Sequence, residues 1–338
     1  MTLKQFRHIA GHLLTPLLMC LGMALAYLGA FHQPTPDHLS LAVVGDSPQT
    51  LVMAQTMKDK AGDGIDIVTL HSRDDAVTGL KNRDILGAYV PGEHPELLVA
   101  KAGSETSAQV AELVFRQVSD HQGVPLTVTN VTSSAPGDPT GQGIFFLLVA
   151  LSVGSYASVA VLGAAAATLR MRVRVALGIG TAFVVSAISL VVAGPLFHVI
   201  DSDYLTVFGM AWLYCAGIIT VGIGLHTFLK RWTTLALITL FVMLNFTTSG
   251  GVYGPQLQNG FFAALHSFWN GAGFVEGVRD LLYFDAGAGF GGHVLALVGW
   301  LAVGIVAVVA AAAYEARNAP KPVSPAAVEE EVGESAAV

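Results

Sequence analysis

Residues 247–285 read TTSGGVYGPQLQNGFFAALHSFWNGAGFVEGVRDLLYFD. An apolar run ends at Thr247, Thr248 and Ser249. Gly250-Gly251 and Gly254-Pro255 break the chain. A shorter apolar stretch follows, is interrupted at Asn270, Gly271 and Gly273, and is closed by Glu276, Arg279 and Asp280. In lipid, backbone leaves a helix only where protein or water satisfies its N–H and C=O groups. A broken apolar hairpin in a many-span chain therefore marks a packed interior or the lining of a path.

The rest of the chain supplies the spans. Hydrophobic residues make up 53% of the 338 and charged residues 12%, about half the charged share of a soluble protein. Mean hydropathy is +0.60. The net charge of −7 sums unlike regions: residues 33–143 hold 14 acidic and 7 basic residues, and four glutamates sit after Lys321. No basic stripe suits nucleic acid. Cys20 and Cys215 lie in apolar runs without metal or redox spacing, which suits packing.

Six segments approach the roughly 20 apolar residues that a spanning helix needs: 9–31, 144–169, 175–200, 205–229, 233–246 and 292–314. Cytoplasmic loops are rich in Lys and Arg. Lys4 and Arg7, then Arg170, Arg172 and Arg174, then Lys230 and Arg231, then Arg317 and Lys321 all fall on one side if both termini are cytoplasmic. Asp201, Asp203, the 247–285 hairpin and the large 33–143 segment fall on the other. Counting 261–284 as a seventh span would move Arg317 and Lys321 outside and bury Glu276, Arg279 and Asp280 in lipid, a costly placement. A re-entrant or surface-lying helix is preferred. The first span reads as an uncleaved anchor, because its apolar run outlasts the Ala24-Leu25-Ala26 site that would suit a signal peptide. The expected location is a plasma (inner) membrane, crossed several times.

Segment 33–143 alternates strand and helix signals and predicts one small α/β domain outside the membrane. Strands are expected at 39–44, 65–70, 85–90, 97–100 and 126–131. Helices are expected at 51–60 behind the Ser47-Pro48 start, at 74–80, and from the Ser104 cap to about His121. Gly45-Asp46-Ser47 reads as a tight turn rather than a phosphate cradle, and His71, Asp74 and Asp75 as a solvated helix start rather than metal ligands. No nucleophilic or acid–base constellation can be assembled, so neither an enzyme nor a cofactor is expected. Residues 321–338 read as a disordered cytoplasmic tail.

Inside the spans, Ala216, Thr220 and Gly224, and also Gly154 and Ser158, recur at four-residue spacing that lets helices approach closely. Pro195 is expected to kink the third span. His12, His198, His226, His266 and His293 lie near span ends, as interfacial anchors do, and Phe261, Phe262, Phe268 and Trp269 resemble an aromatic belt. Glu276, Arg279 and Asp280 share one helical face. They read as an ion pair holding the hairpin at headgroup level, with substrate contact as the other reading. Gly250, Gly251, Pro255, His266, Glu276, Arg279 and Asp280 are thus the candidate hairpin or path residues.

The order of one span, a large outer domain, then five spans with a broken outer hairpin before the last resembles the membrane subunits of ABC-2-type exporters. The phage-infection-protein (Pip-like) branch is most similar. The resemblance rests on Thr247-Thr248-Ser249-Gly250-Gly251, on Gly260-Phe261-Phe262-Ala263-Ala264-Leu265-His266, on Glu276-Gly277-Val278-Arg279, and in the outer domain on Asn82-Arg83-Asp84-Ile85-Leu86-Gly87-Ala88-Tyr89-Val90. It implies export of a hydrophobic or lipid-like envelope substance by a homo- or hetero-dimer. A separate ATPase would drive it, since the chain has no Gly-x-x-x-x-Gly-Lys-Ser/Thr loop. The chain departs from the family in its short inner loops, little more than Arg170–Arg174 and Lys230-Arg231, which offer an ATPase little surface. The alternative is a non-transporting scaffold or accessory subunit whose outer domain docks an envelope protein. Membrane lipids are partners in either case.

Overall fold

The computed structural model describes residues 2–133, 135–166, 168–287 and 289–318. The expected tail at 321–338 lies outside them. Helix α1 (Leu3–Phe31) starts at a capping box built by Thr2 and Gln5. It then runs almost unaccompanied, with Leu17, Leu21, Leu25 and Leu28 all more than half exposed. It meets the bundle along one side, where Gly22 lies against Met243. A helix that apolar, and that bare, belongs in lipid or against another chain.

The 33–143 segment forms a five-stranded sheet in the order β2-β1-β3-β4-β5. The elements are β1 (Leu39–Val44), α2 (Pro48–Ala61), β2 (Ile65–Leu70), α3 (Arg73–Lys81), β3 (Gly87–Val90), β4 (Glu96–Val99), α4 (Glu105–Gln122) and β5 (Thr127–Asn130). The β3–β4 pair is antiparallel and the other pairings are parallel. Alternate residues of β1 serve opposite faces. Leu39, Leu41 and Val43 pack with Ala54 of α2 and with Ala111 and Phe115 of α4, while Ala42 and Val44 pack with Ala76 and Leu80 of α3. Ser47, Ser72 and Ser104 cap the three helices through their hydroxyls. Gly45, at φ +125°, makes the turn before Ser47.

Asp138 accepts the N–H groups of Gln142 and Gly143 and so starts α5 (Gly143–Ala165). Helix α6 (Met171–Val191) ends in a wide turn at Val192–Leu196 that contains Pro195, the expected kink. Helix α7 (Tyr204–Leu229) is the axis of the bundle and packs against α5, α6, α11 and α12. Every residue from Tyr214 to Gly224 is buried, three turns covered on all faces. The small-residue stripe is where α12 crosses it, with Gly224 against Ala307 and Gly304 against Thr220.

Five helical stretches are long and apolar enough to cross a membrane, by length and composition: Lys4–Phe31, Gly143–Ala165, Met171–Leu196, Tyr204–Thr248 and Phe290–Arg317. The chain is therefore a helical membrane protein. The fourth stretch has 45 residues, about 68 Å of helix against a hydrocarbon layer of about 30 Å. It folds back at Lys230, where φ is +49° and ψ is −114°. Beyond that turn come α8 (Thr233–Ile238), a wide turn at Thr239–Leu244, and α9 (Asn245–Thr248). Gly222 faces Leu237 and Tyr214 faces Asn245, so the two legs run antiparallel. After the hairpin, α12 (Phe290–Arg317) closes the bundle.

Candidate functional site

The hairpin begins where α9 stops. Gly250 takes φ +77°, a conformation that L side chains rarely adopt. A Cβ there would strike the Glu276 carboxylate, and one on Gly251 would strike the Phe145 ring. Pro255–Leu257 forms one tight turn. Asn259 caps α10 (Gly260–His266) by accepting from Phe261 and Phe262 N–H. Helix α11 (Asn270–Tyr283) then drives into the bundle, with every residue from Asn270 to Asp280 buried.

Its first turn meets a polar chain inside the bundle. Gly271 N–H donates to Asn245 Oδ1 at 2.8 Å, and Asn245 Nδ2 donates to Tyr214 Oη at 2.7 Å. Tyr214 Oη also lies 2.5 Å from Ser152 Oγ. Trp269 Nε1 donates to Leu240 O, one of the carbonyls in the wide 239–244 turn. Such turns recur at functional sites because they free backbone groups from the helical ladder.

The hairpin is also stitched to the α/β domain. Thr35 and Asp37 N–H donate to Leu257 and Gln256 carbonyls at 3.0 and 2.9 Å. Thr106 Oγ1 donates to Val252 O at 2.8 Å. Leu257 is fully buried within the domain's own core, beside Phe115 and Leu97.

The charges sit at this junction. Glu276, Arg279 and Asp280 are only 2–3% exposed, and they face the α/β domain. Arg83, from the loop after α3, reaches Glu276 with Nη2 and Asp280 with Nη1, the latter at 2.7 Å. Its guanidinium also lies over the Phe284 ring, 5.3 Å from the centroid. Arg279 Nη1 donates to Glu276 Oε1 at 3.0 Å and to Gly250 O at 2.8 Å. His293 Nε2 is 3.4 Å from Asp280, and His266 Nδ1 is 2.7 Å from Thr248 O. Two guanidiniums thus balance two carboxylates, and of these groups only Arg83 is partly exposed. Burial alone would push the Glu276 carboxyl up. Arg83 and then Arg279 outweigh it and hold the group down, at about 2. Burial holds His266 below its ordinary value against the pull of Glu276.

Between domain and hairpin lies a cleft of about 270 Å³, bordered by Arg83, Ser107, Pro255, His266, Glu276 and His293 among others. The structure thus gathers Pro255, His266, Glu276 and Asp280 on one cavity, with Gly250 and Arg279 bonded behind it. Gly251 is set apart, against Phe145. The ion triad bridges two parts of the protein, and His266 and His293 line the cleft. Phe261 and Phe268 are exposed as a belt would be, whereas Phe262 and Trp269 are buried.

Sequence reading missed Arg83, yet a signal existed. Arg83 N–H donates to Leu80 O and Asp84 N–H to Gly79 O, which closes α3 in a Schellman motif with Arg83 at φ +66°. That position favours glycine or asparagine. From there the Arg83 side chain reaches Glu276 and Asp280.

Among the described residues, no group of three or more His, Cys, Asp or Glu is placed to hold a metal. His71 pairs with Asp46 at 2.7 Å instead. Comparison with protein-family models, with curated proteins and with solved structures gives no match.

Proposed function

We propose that this chain is the membrane subunit of an ABC-2-like exporter that moves a hydrophobic or lipid-like envelope substance outward. It performs no covalent chemistry of its own. It works as a dimer, and a separate ATPase supplies energy. The reading takes the folded-back 204–248 stretch as two crossings, for six in all. The α/β domain lies outside, both termini lie in the cytoplasm, and α10–α11 form a re-entrant hairpin in a plasma (inner) membrane.

One observation carries the proposal. Helix α11 enters the bundle from the side of the α/β domain and is bonded at one end to the bundle's polar interior through Asn245 and at the other to that domain through Arg83. A piece held at both ends transmits movement of the spans to the outer domain. The 270 Å³ cleft beside it would open or close with that movement. Helix α7 is packed on all faces from Tyr214 to Gly224, so a path for cargo runs between copies rather than through one chain. The bare faces of α1, α6 and α12 are available for that pairing.

A second reading, a scaffold whose outer domain docks an envelope protein, is favoured by the short connections at the opposite end, Ala166 to Arg170 and Lys230–Trp232. Affinity isolation in mild detergent separates the two. An ATPase that co-purifies, and ATP-dependent movement of fluorescent lipid in vesicles holding both proteins, support export. A stable envelope partner with no ATPase and no lipid movement removes it.

A further inference from the structure

At the end of the bundle away from the α/β domain, the helices leave two neighbouring clefts of about 300 and 370 Å³. His226 and Lys230 border both. Arg231 borders the first, and Arg174 and Glu315 the second. Arg174 and His226 also border a small cavity beside them. Glu315 is the one carboxylate on these walls among the described residues, and it is already engaged: it pairs with Arg174 and accepts from Thr227 Oγ1 at 2.9 Å. Lys230 and Arg231 are exposed cations on the same walls.

Basic residues at one end of a bundle follow from topology alone. Two further features do not. Arg174 is 7% exposed, and its Nε has no hydrogen-bond acceptor. A buried donor without a partner is rare and costly. Lys230 is held at φ +49° and ψ −114°, a conformation that L residues avoid and that clusters where ligands are clamped. The first cleft has an apolar side as well, formed by the exposed Ala160 and Ala164.

We propose that these clefts bind the phosphate of an anionic lipid headgroup. Lys230 and Arg231 are the outer cations, Arg174 Nε is the inner donor, and Ala160 and Ala164 border the acyl chains. The site stands whether or not the chain transports anything.

The test uses the full chain in a neutral detergent and reads the thermal midpoint during titration. The probes are dioctanoyl phosphatidylglycerol, dioctanoylglycerol and inorganic phosphate. Phosphatidylglycerol should raise the midpoint with saturation. Dioctanoylglycerol, with the same chains and no phosphate, should not. Lys230→Gln with Arg231→Gln, both exposed positions, should raise the half-saturating concentration about tenfold or more. On the unaltered chain, raising salt from about 0.05 to about 0.5 M should weaken the response by a similar factor, a measurement that needs no variant to fold. Equal stabilisation by dioctanoylglycerol, or a salt-independent response, overturns the site. So does a folded double variant that responds as the original does. Saturation by inorganic phosphate at the same concentration as the lipid makes this a free-phosphate site and sinks the lipid assignment.

Discussion

Replacing Arg83 with Gln should undock the hairpin from the α/β domain. Removing one partner of a buried ion pair costs about 3–5 kcal/mol. Two features soften that here: Arg83 is 29% exposed, so water replaces part of it, and Glu276 keeps Arg279. Asp280 is left with His293 alone, at 3.4 Å. The expected loss is about 2–3 kcal/mol, a midpoint drop of about 5 °C in a chain of this size. Asp280→Asn added to Arg83→Gln should recover part of it, because the stranded charge is gone. Acid should act on the same joint. A carboxylate depressed from 4.5 to about 2 contributes about 3 kcal/mol that is present above the unfolded value and lost as pH falls from about 4.5 towards 2. His266, held low by burial, favours the neutral form and adds a loss in the same direction. Thermal melts and hydrogen exchange across residues 250–259 measure both effects. If Arg83→Gln melts like the parent and its 250–259 amides stay protected, the junction is not held by this cluster.

Other perturbations separate the remaining contacts. Leu257→Ala should cost about 2–5 kcal/mol, as for other buried leucines, and should raise exchange in the α/β domain, whose core it fills. Asn245→Ala strands the Gly271 N–H and leaves Tyr214 Oη with Ser152 Oγ alone, and should lower stability by about 1–3 kcal/mol with normal membrane insertion by glycosylation mapping. Gly250→Val and Gly251→Leu should leave insertion intact but abolish activity in the vesicle assay above, since each new side chain meets Glu276 or Phe145; full activity in the pair would remove the hairpin from the mechanism.

Local patterning made much of the α/β domain legible. Ser47, Ser104 and Gly123 mark helix ends in the sequence and bound the same helices in the fold. The strands fall within about two residues of the expected ranges, with β3 beginning at Gly87 rather than Ile85. The long apolar runs likewise predicted the bundle helices. Residues 233–246 were harder to read: the leg is short on its own, and its wide turn at 239–244 is held by packing and by Trp269, which no window of hydropathy contains.

Sequence alone determined that this chain is a helical membrane protein carrying an α/β insertion, because span length and strand alternation are properties of neighbours along the chain. It also marked Glu276, Arg279 and Asp280 as one helical face. Only the tertiary structure decided what that face meets. Arg83 and Asp280 are 197 residues apart, and no periodicity relates them. Two carboxylates and a guanidinium on a helix remain at a wet surface unless a distant charge arrives to neutralise them, and here the loop after α3 brings it.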